Sequence, residues 1–138
     1  MQALRTRILM MKSPITRSIS TNNGCLREIF KIQSVDDFKQ KVDIGSKDKV
    51  VIVDFFATWC GPCKMLTPRI ETIMGENEGK VNLAKVDIDE HTEIALDYDV
   101  SSVPVLVAIR NGKIQDRVVG LQDTDKLRTW VAKQVAKS

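Results

Sequence analysis

The sequence predicts an α/β fold with one mixed β-sheet and helices on both of its faces. From residue 28 onward, strand-like and helix-like segments alternate in the order β-α-β-α-β-α-β-β-α. The segment Val50–Phe56 is almost continuously apolar, as expected of a central strand with both faces buried. The pair Asn111-Gly112 separates two apolar segments, which is a strong hairpin signal and adds an antiparallel pair to strands otherwise joined by helices.

The first half of the domain contains three predicted elements besides the central strand. Residues 28–32 alternate weakly and are predicted to form an edge strand. Ser34 and Asp37 resemble a capping box, so a helix is expected from there to Val42. The helix after the central strand has Pro62 in its first turn, reaches about Met74 and is bent by Pro68.

The second half supplies the rest of the sheet and a closing helix. The segment Val81–Asp87 reads as a strand, and a short helix follows at 93–98. Strands at 105–109 and 114–119 form the hairpin. The last helix is capped near Asp123, and its apolar face consists of Leu127, Trp130, Val131 and Val135.

The charge of the chain is unevenly distributed. The 138 residues include 21 basic and 18 acidic ones, a formal charge of +3, and 43% are hydrophobic. Five basic residues and no acidic ones lie in 1–27, so residues 28–138 carry 16 basic against 18 acidic groups, a charge of −2. A domain with this balance is not expected to bind nucleic acid or an anionic membrane.

Residues 1–27 have the composition of a mitochondrial or plastid targeting segment: four arginines, many hydroxyl residues and no acids. Apolar residues recur there at helical spacing, at Leu4, Ile8, Met11 and Ile15. The longest apolar run, 8–11, is too short for a secretory signal, and no run approaches the roughly 18 residues of a membrane-spanning helix. The alternative is a basic tail that stays attached. We expect removal at a point between residues 17 and 27, leaving one domain at 28–138.

The motif most informative about chemistry is Cys60-Gly61-Pro62-Cys63, placed where the buried strand gives way to a helix. Two cysteines at this spacing can form and break a disulfide with little backbone motion, and a helix N-terminus stabilises the nucleophilic thiolate. The alternatives are a structural zinc site or a structural disulfide. Zinc needs four ligands, and the only others are Cys25, near the end of the targeting segment, and His91. A structural disulfide closing so short a loop would stabilise the fold little.

Two charged residues interrupt apolar strands. Asp54 lies within the central strand, where an unpaired carboxyl is costly and tends to keep its proton, so that it can exchange protons with a cysteine. Lys85 shares a strand face with Leu83 and could reach Asp54. The plainer readings are a solvated strand end or helix cap for Asp54 and a surface lysine for Lys85.

Other residues near the motif admit two interpretations. Trp59 is either a core residue or an exposed lip on which a peptide rests. The Val103-Pro104 bond is expected to be trans from base rates, since about 5–6% of X-Pro bonds are cis. We predict a solvated loop position for His91 and a core position for Trp130, and Cys25 reads as an incidental thiol.

The motifs as a set resemble the thioredoxin family across residues 28–138: Asp54-Phe55, residues 59–64, residues 84–87 and Ser102-Val103-Pro104. Residues 87–92 and 100–105, with the N-terminal extension, are most similar to the mitochondrial branch. The resemblance implies a central mixed sheet flanked by four helices, and reduction of protein disulfides. It also implies recharging by a thioredoxin reductase and NADPH, a mitochondrial matrix location and a monomer without bound cofactor or metal.

The resemblance also implies residue roles. Cys60 matches the attacking cysteine, Cys63 the resolving one, Asp54 the buried carboxyl and Lys85 its partner. Pro104 matches a proline that the family keeps cis, which reverses the expectation from base rates. The substrate groove would comprise Trp59, Gly61, Pro62, Val103, Pro104 and Gly120. One departure is Val105, where a threonine is usual, and it leaves fine substrate preference open.

Two competing functions remain at this point. Related oxidases and isomerases usually carry a histidine between the cysteines, whereas Gly61-Pro62 offers no charge to favour the reduced form, so a reductant is expected. A non-catalytic binding module with the same fold would not need both cysteines.

Overall fold

The computed structural model describes residues 28–137, which contain five strands and four α-helices. The strands are β1 (Glu28–Lys31), β2 (Val50–Phe56), β3 (Val81–Asp87), β4 (Val105–Arg110) and β5 (Lys113–Val119). The helices are α1 (Val35–Phe38), α2 (Gly61–Glu76), α3 (Thr92–Asp97) and α4 (Thr124–Ala136). The predicted order of elements and the predicted fold class are confirmed.

The sheet has the strand order β1-β3-β2-β4-β5. β3 runs parallel to β1 and β2, whereas β4 is antiparallel to both β2 and β5. The central position of β2 agrees with its burial, because only Phe56 is more than marginally accessible. The register pairs Phe55 with Val105 and Phe56 with Asp87, so one edge of the sheet collects the ends of β2 and β3 and the start of β4.

The two faces of the sheet bury separate apolar clusters. Alternate β2 residues Val51, Val53 and Phe55 pack with α1 and α3. Val50 and Ile52 point to the other face and pack with α2 and α4, for example with Leu66 and Leu127. Asp54 has the same strand parity as Val50 and Ile52, so its carboxyl lies on the α2 side.

The first helix departs from the prediction. Ser34 caps α1 as expected, its Oγ accepting from the Asp37 N–H at 3.0 Å. The α-helix then ends at Phe38 and continues as a π-helical segment, Lys39–Ile44, and a 3₁₀ turn, Gly45–Lys47. Apolar spacing alone did not reveal this change, because Phe38 and Val42, which lie on either side of the transition, both pack in the core.

The predicted burial was wrong for His91 and only partly right for Trp130. His91, which was expected in solvent, is buried, and its Nε2 lies 3.0 Å from the Ile32 carbonyl oxygen. Because a carbonyl oxygen only accepts, the hydrogen bond requires the ring proton on Nε2. Its polar neighbours indicated exposure, but the chain folds back on β1. Trp130 is half-buried at the margin of the core, because its Nε1 donates to Asp116 Oδ2 at 3.1 Å.

The hairpin between β4 and β5 is the predicted two-residue turn. Asn111 and Gly112 both have positive φ, 55° and 72°, as such turns require. Ser46 holds the turn from the 3₁₀ segment: its carbonyl accepts from Asn111 N, and its Oγ accepts from Gly112 N at 2.8 Å. This turn lies at the end of β4 remote from Val105.

Candidate active site

The two cysteines lie where β2 ends and α2 begins. Cys60 is the N-cap of α2, and Pro62 occupies the first turn, where its missing N–H costs no helical hydrogen bond. Cys60 and Cys63 are joined by a disulfide. The Cys60 Sγ also accepts a hydrogen bond from the Cys63 backbone N–H at 3.1 Å. One sulfur therefore faces the unpaired N–H groups and the positive end of the helix dipole.

Both sulfurs are largely shielded by neighbouring apolar groups. Cys60 is 4% exposed and Cys63 is 2% exposed, and Ala57 completes their small buried cluster. Phe56, Ile88 and Val103 pack around it. Cys60 is flanked by exposed residues, Trp59 and Gly61, whereas Cys63 lies inside the first turn of the helix. Of the two cysteines, Cys60 is therefore the one next to the exposed rim.

Asp54 is fully buried, as a carboxyl in a central strand would be. Burial raises the pKa of Asp54 to about 6, and the charge of Glu71 acts in the same direction. A hydrogen bond from the Thr67 hydroxyl to Oδ2, 3.1 Å long, and the charge of Lys85 oppose that rise in pKa. The other carboxyl oxygen, Oδ1, has no hydrogen-bond partner. A carboxyl with this pKa can take or give a proton near neutral pH.

Lys85 is the cross-strand neighbour of Asp54 in the register of β2 and β3. Its Nζ, however, lies 3.0 Å from Glu71 Oε2 on α2, and that is where its ion pair forms. The expected contact of Lys85 with Asp54 is thus replaced by one with Glu71, because the long side chain extends toward the partly exposed surface. Lys85 acts on Asp54 through its charge.

The loop before β4 meets the cysteines from the opposite side. The Val103-Pro104 peptide bond is cis, which agrees with the resemblance and not with the base rate. Tertiary contacts that local preference ignores surround it: Val103 packs against the cysteine cluster, and Pro104 is buried. The Pro104 carbonyl accepts from Gly120 N at 2.9 Å, which brings the end of β5 beside this loop.

The outer rim of the site is open. Trp59 is 68% exposed, so it is a lip and not a core residue, and its Nε1 donates to Asp89 Oδ2 at 2.9 Å. Gly61 and Pro62 are also exposed. A Cβ atom added at Gly61 or Gly120 would meet nothing within 4 Å, so the surface in front of both glycines is open.

Sequence reasoning missed three polar residues of this region: Thr67, Glu71 and Asp89. Thr67 follows Cys63 by four residues on one helix, a spacing that places both on the same face and could have identified it. Glu71 follows Thr67 by a further four residues on the same helix. The partnership of Asp89 with Trp59 spans 30 residues and has no local signal.

Residues 28–137 carry neither a metal cluster nor a membrane-spanning helix. No three His, Cys, Asp or Glu side chains in that range are grouped so that they could hold a metal ion. Within the same range, no helix has the length and apolarity needed to cross a membrane.

Comparison with known proteins gives consistent similarities. Residues 29–133 match the thioredoxin family model. The chain is 43% identical over 128 residues to a mitochondrial thioredoxin of Mus musculus, covering 93% of this chain and 75% of the relative. It is 45% identical over 119 residues to a mitochondrial thioredoxin of Bos taurus, covering 86% and 70%.

Solved structures agree. The fold is similar to that of a mutant thioredoxin from Halobacterium salinarum, with a TM-score of 0.71 and 35% identity over 83% of this chain and 96% of that one. It is also similar to a thioredoxin of Malassezia sympodialis, with a TM-score of 0.69 and 38% identity over 83% and 97%.

Proposed function

Because this chain belongs to the thioredoxin family and is a protein-disulfide reductase with a Cys60–Cys63 redox pair, we propose that it is recharged by a thioredoxin reductase with electrons from NADPH. The observation that carries the proposal is the disulfide at the start of α2, bordered by the exposed residues Trp59 and Gly61 and backed by a buried carboxyl. The cycle uses only the two sulfurs, so no bound cofactor is required.

In the first step, the Cys60 thiolate attacks one sulfur of a substrate disulfide. A bond forms between Cys60 Sγ and that sulfur, and the other substrate sulfur leaves with the electron pair of the broken bond. The position of Cys60 at the N-cap supports this role, because the Cys63 N–H and the helix dipole favour a negative sulfur there. The product is a mixed disulfide between the two proteins.

In the second step, Cys63 resolves the mixed disulfide. Its thiol loses a proton, with Asp54 as the acceptor, and the thiolate attacks Cys60 Sγ, releasing the reduced substrate. The burial of Asp54 supports this role, because a pKa of about 6 lets the carboxyl accept a proton transiently and return it to solvent. Lys85 takes part as a charge beside the carboxyl.

We assign substrate binding to the rim around Cys60, made by Trp59, Gly61, Pro62, Val103, Pro104 and Gly120. A bound extended chain would rest on the exposed indole of Trp59 and pass between the two glycines. The free space at Gly61 and Gly120 and the apolar contact of Val103 with the cysteines support this path. The partners are therefore proteins whose disulfides lie in accessible segments.

The proposed location is the mitochondrial matrix, reached with residues 1–27 as a removable targeting segment. Its support is the acid-free, arginine-bearing composition of that segment and the similarity of the chain to mitochondrial thioredoxins. We further propose that the mature domain, residues 28–138, works as a monomer.

The test is insulin-disulfide reduction by residues 28–138 with a thioredoxin reductase and NADPH. We expect NADPH oxidation that depends on all three components and continues over many turnovers. Turnover with dithiothreitol but not with any thioredoxin reductase would contradict the proposed electron source and leave the reductase activity intact.

A further inference from the structure

Thr67 connects the buried carboxyl of Asp54 with a surface groove that Asp54 itself does not reach. Its hydroxyl donates to Asp54 Oδ2 at 3.1 Å, and Asp54 itself is fully buried. Thr67 is only partly buried, and it lines a surface groove of about 430 Å³. The same groove is lined by Cys63, one helical turn earlier on α2, whereas Asp54 is not part of its wall.

The groove opens to solvent, and the resolving cysteine is part of its wall. Its wall is formed by Phe56, Ala57, Thr58, Cys63, Lys64, Thr67 and Pro68. A water molecule there can accept from the Cys63 thiol and donate to the Thr67 oxygen, whose lone pairs are free to accept while its proton points at Asp54. Such a water would connect the thiol to the carboxyl through the hydroxyl of Thr67.

We propose that Thr67 is a proton-relay residue, which carries the proton of Cys63 from the groove to Asp54 during the resolving step. This inference rests on the proposed role of Asp54 and names the route by which the proton reaches it. The hydrogen bond to Asp54 Oδ2 directs the hydroxyl proton of Thr67 at the carboxyl, as a relay requires.

The transfer conserves every proton and electron pair. The Cys63 S–H bond breaks, and the proton passes to a groove water, which gives one of its own protons to Thr67 Oγ1. Thr67 passes its original proton to Asp54 Oδ2, so that a neutral carboxyl results. The Cys63 sulfur keeps its electron pair and bonds to Cys60 Sγ, and the substrate sulfur leaves with the electrons of the broken disulfide.

Besides its hydrogen-bond partner Thr67, Asp54 has charged neighbours on two elements. Lys85 faces it from β3, and Glu71 faces it from α2. Its partner on β4 is the apolar Leu106, and Lys64 lies at the groove. Neither Lys85 nor Glu71 lines the groove, and Lys64, which does, forms no hydrogen bond with the carboxyl. Thr67 alone among these residues does both.

The experiment compares Thr67→Val, Thr67→Ser, Asp54→Asn and the double variant Asp54→Asn with Thr67→Val. Valine keeps the β-branched shape and removes the hydroxyl, and serine restores it. If Thr67 relays the proton, Thr67→Val slows insulin reduction by at least about tenfold, as Asp54→Asn does, and the double variant is no slower than either single one. Thr67→Ser stays within about threefold of the wild type.

The matched control is Thr72→Val, on the same helix, where the hydroxyl is exposed and donates to the Pro68 carbonyl. It should keep the wild-type rate. An independent reading is the carboxyl NMR titration of Asp54, which needs no activity. Loss of the Thr67 hydrogen bond should move its midpoint upward by about one pH unit, and serine should restore it.

The outcomes separate the two proposals. Wild-type turnover by Thr67→Val, a double variant slowed by the product of the single effects, or an unmoved Asp54 titration overturns the relay. An inactive wild type overturns the proposed function instead, while the titration still reports on the hydrogen bond. An unslowed Asp54→Asn overturns both the role of Asp54 and the relay.

Discussion

Lys85 and Glu71 form an ion pair 3.0 Å long, so the two charges that act on the buried carboxyl of Asp54 are tied to each other. Their effects on Asp54 are opposite, since Lys85 lowers its pKa and Glu71 raises it. The pair therefore acts as a partly cancelling dipole, and altering either member should move the titration of Asp54 in a defined direction.

Glu71→Gln is expected to lower the pKa of Asp54, because it removes a negative neighbour and frees Lys85 to interact with the carboxyl. Lys85→Met should raise it. Carboxyl NMR titrations of the two variants test the signs. Glu76→Gln, on the same helix but paired with Arg128, is the control and should leave Asp54 unmoved. Shifts of equal sign in the first two variants would contradict the arrangement.

Asp54→Asn should make the folded domain more stable in a way that depends on pH. Below about pH 3 the carboxyl is protonated in both folded and unfolded chains, and its ionisation costs no stability. As pH rises from 3.8, the ordinary pKa, to about 6, its folded value, the unfolded chain ionises first, so the wild type loses stability. The loss is complete above that range and amounts to about 3 kcal/mol.

Urea unfolding of Asp54→Asn and the wild type at about pH 3 and pH 8 measures this. We expect similar stability at the lower pH and a more stable variant at the higher one. Asp48→Asn, which changes an exposed carboxyl, serves as the control. A variant equally stabilised at both pH values would show that ionisation is not the cause.

Cysteine variants separate attack from release. In Cys63→Ser, Cys60 can still attack a substrate disulfide, but no second cysteine is present to release the substrate. Mixed disulfides with substrate proteins should therefore accumulate. Cys60→Ser should form no such complexes and reduce no insulin. Non-reducing electrophoresis of mitochondrial extract incubated with each variant provides the measurement. Complexes that survive dithiothreitol, or that form equally with Cys60→Ser, would argue against this order of events.

Ser46→Ala should destabilise the fold without impairing catalysis. Ser46 is fully buried, its Oγ donates to the Asp43 carbonyl, and it accepts from the N–H of Gly112. Alanine leaves that N–H without its partner, which costs about 1–3 kcal/mol. Urea denaturation gives the cost, and insulin reduction below the transition should equal that of the wild type. Ser101→Ala, at an exposed serine, should change neither.

Residues 1–27 fused to a fluorescent protein should direct it to mitochondria, because the segment combines arginines, absent acids and helical apolar spacing. A second fusion with Arg5, Arg7 and Arg17 changed to Gln should stay cytosolic. A chain that starts at Arg27 should retain full reductase activity. Cytosolic fluorescence of the first fusion, with an intact N-terminus on the protein from cells, would refute the targeting role.

Local sequence patterns were sufficient to predict features that depend on a single strand or turn. The bounds of β2 and β3 agree with the predicted ones to the residue. Asn111-Gly112 forms the predicted turn, because both residue types tolerate the positive φ that it requires. The burial of Asp54 followed from its strand. Tertiary partners could not be predicted in this way. The contact of His91 with Ile32 joins residues 59 apart, and the choice of Glu71 by Lys85 depends on how α2 crosses the sheet.

The location of β1 limits how the chain can mature. β1 starts at Glu28, directly after the proposed leader, and pairs with residues 82–85 of β3 at the margin of the sheet. A peptidase cutting a few residues too late would remove this strand and expose the backbone of β3 up to Lys85, the neighbour of Asp54. Imprecise processing would therefore yield a protein whose β3 has an unpaired, aggregation-prone edge, and not merely a shorter N-terminus.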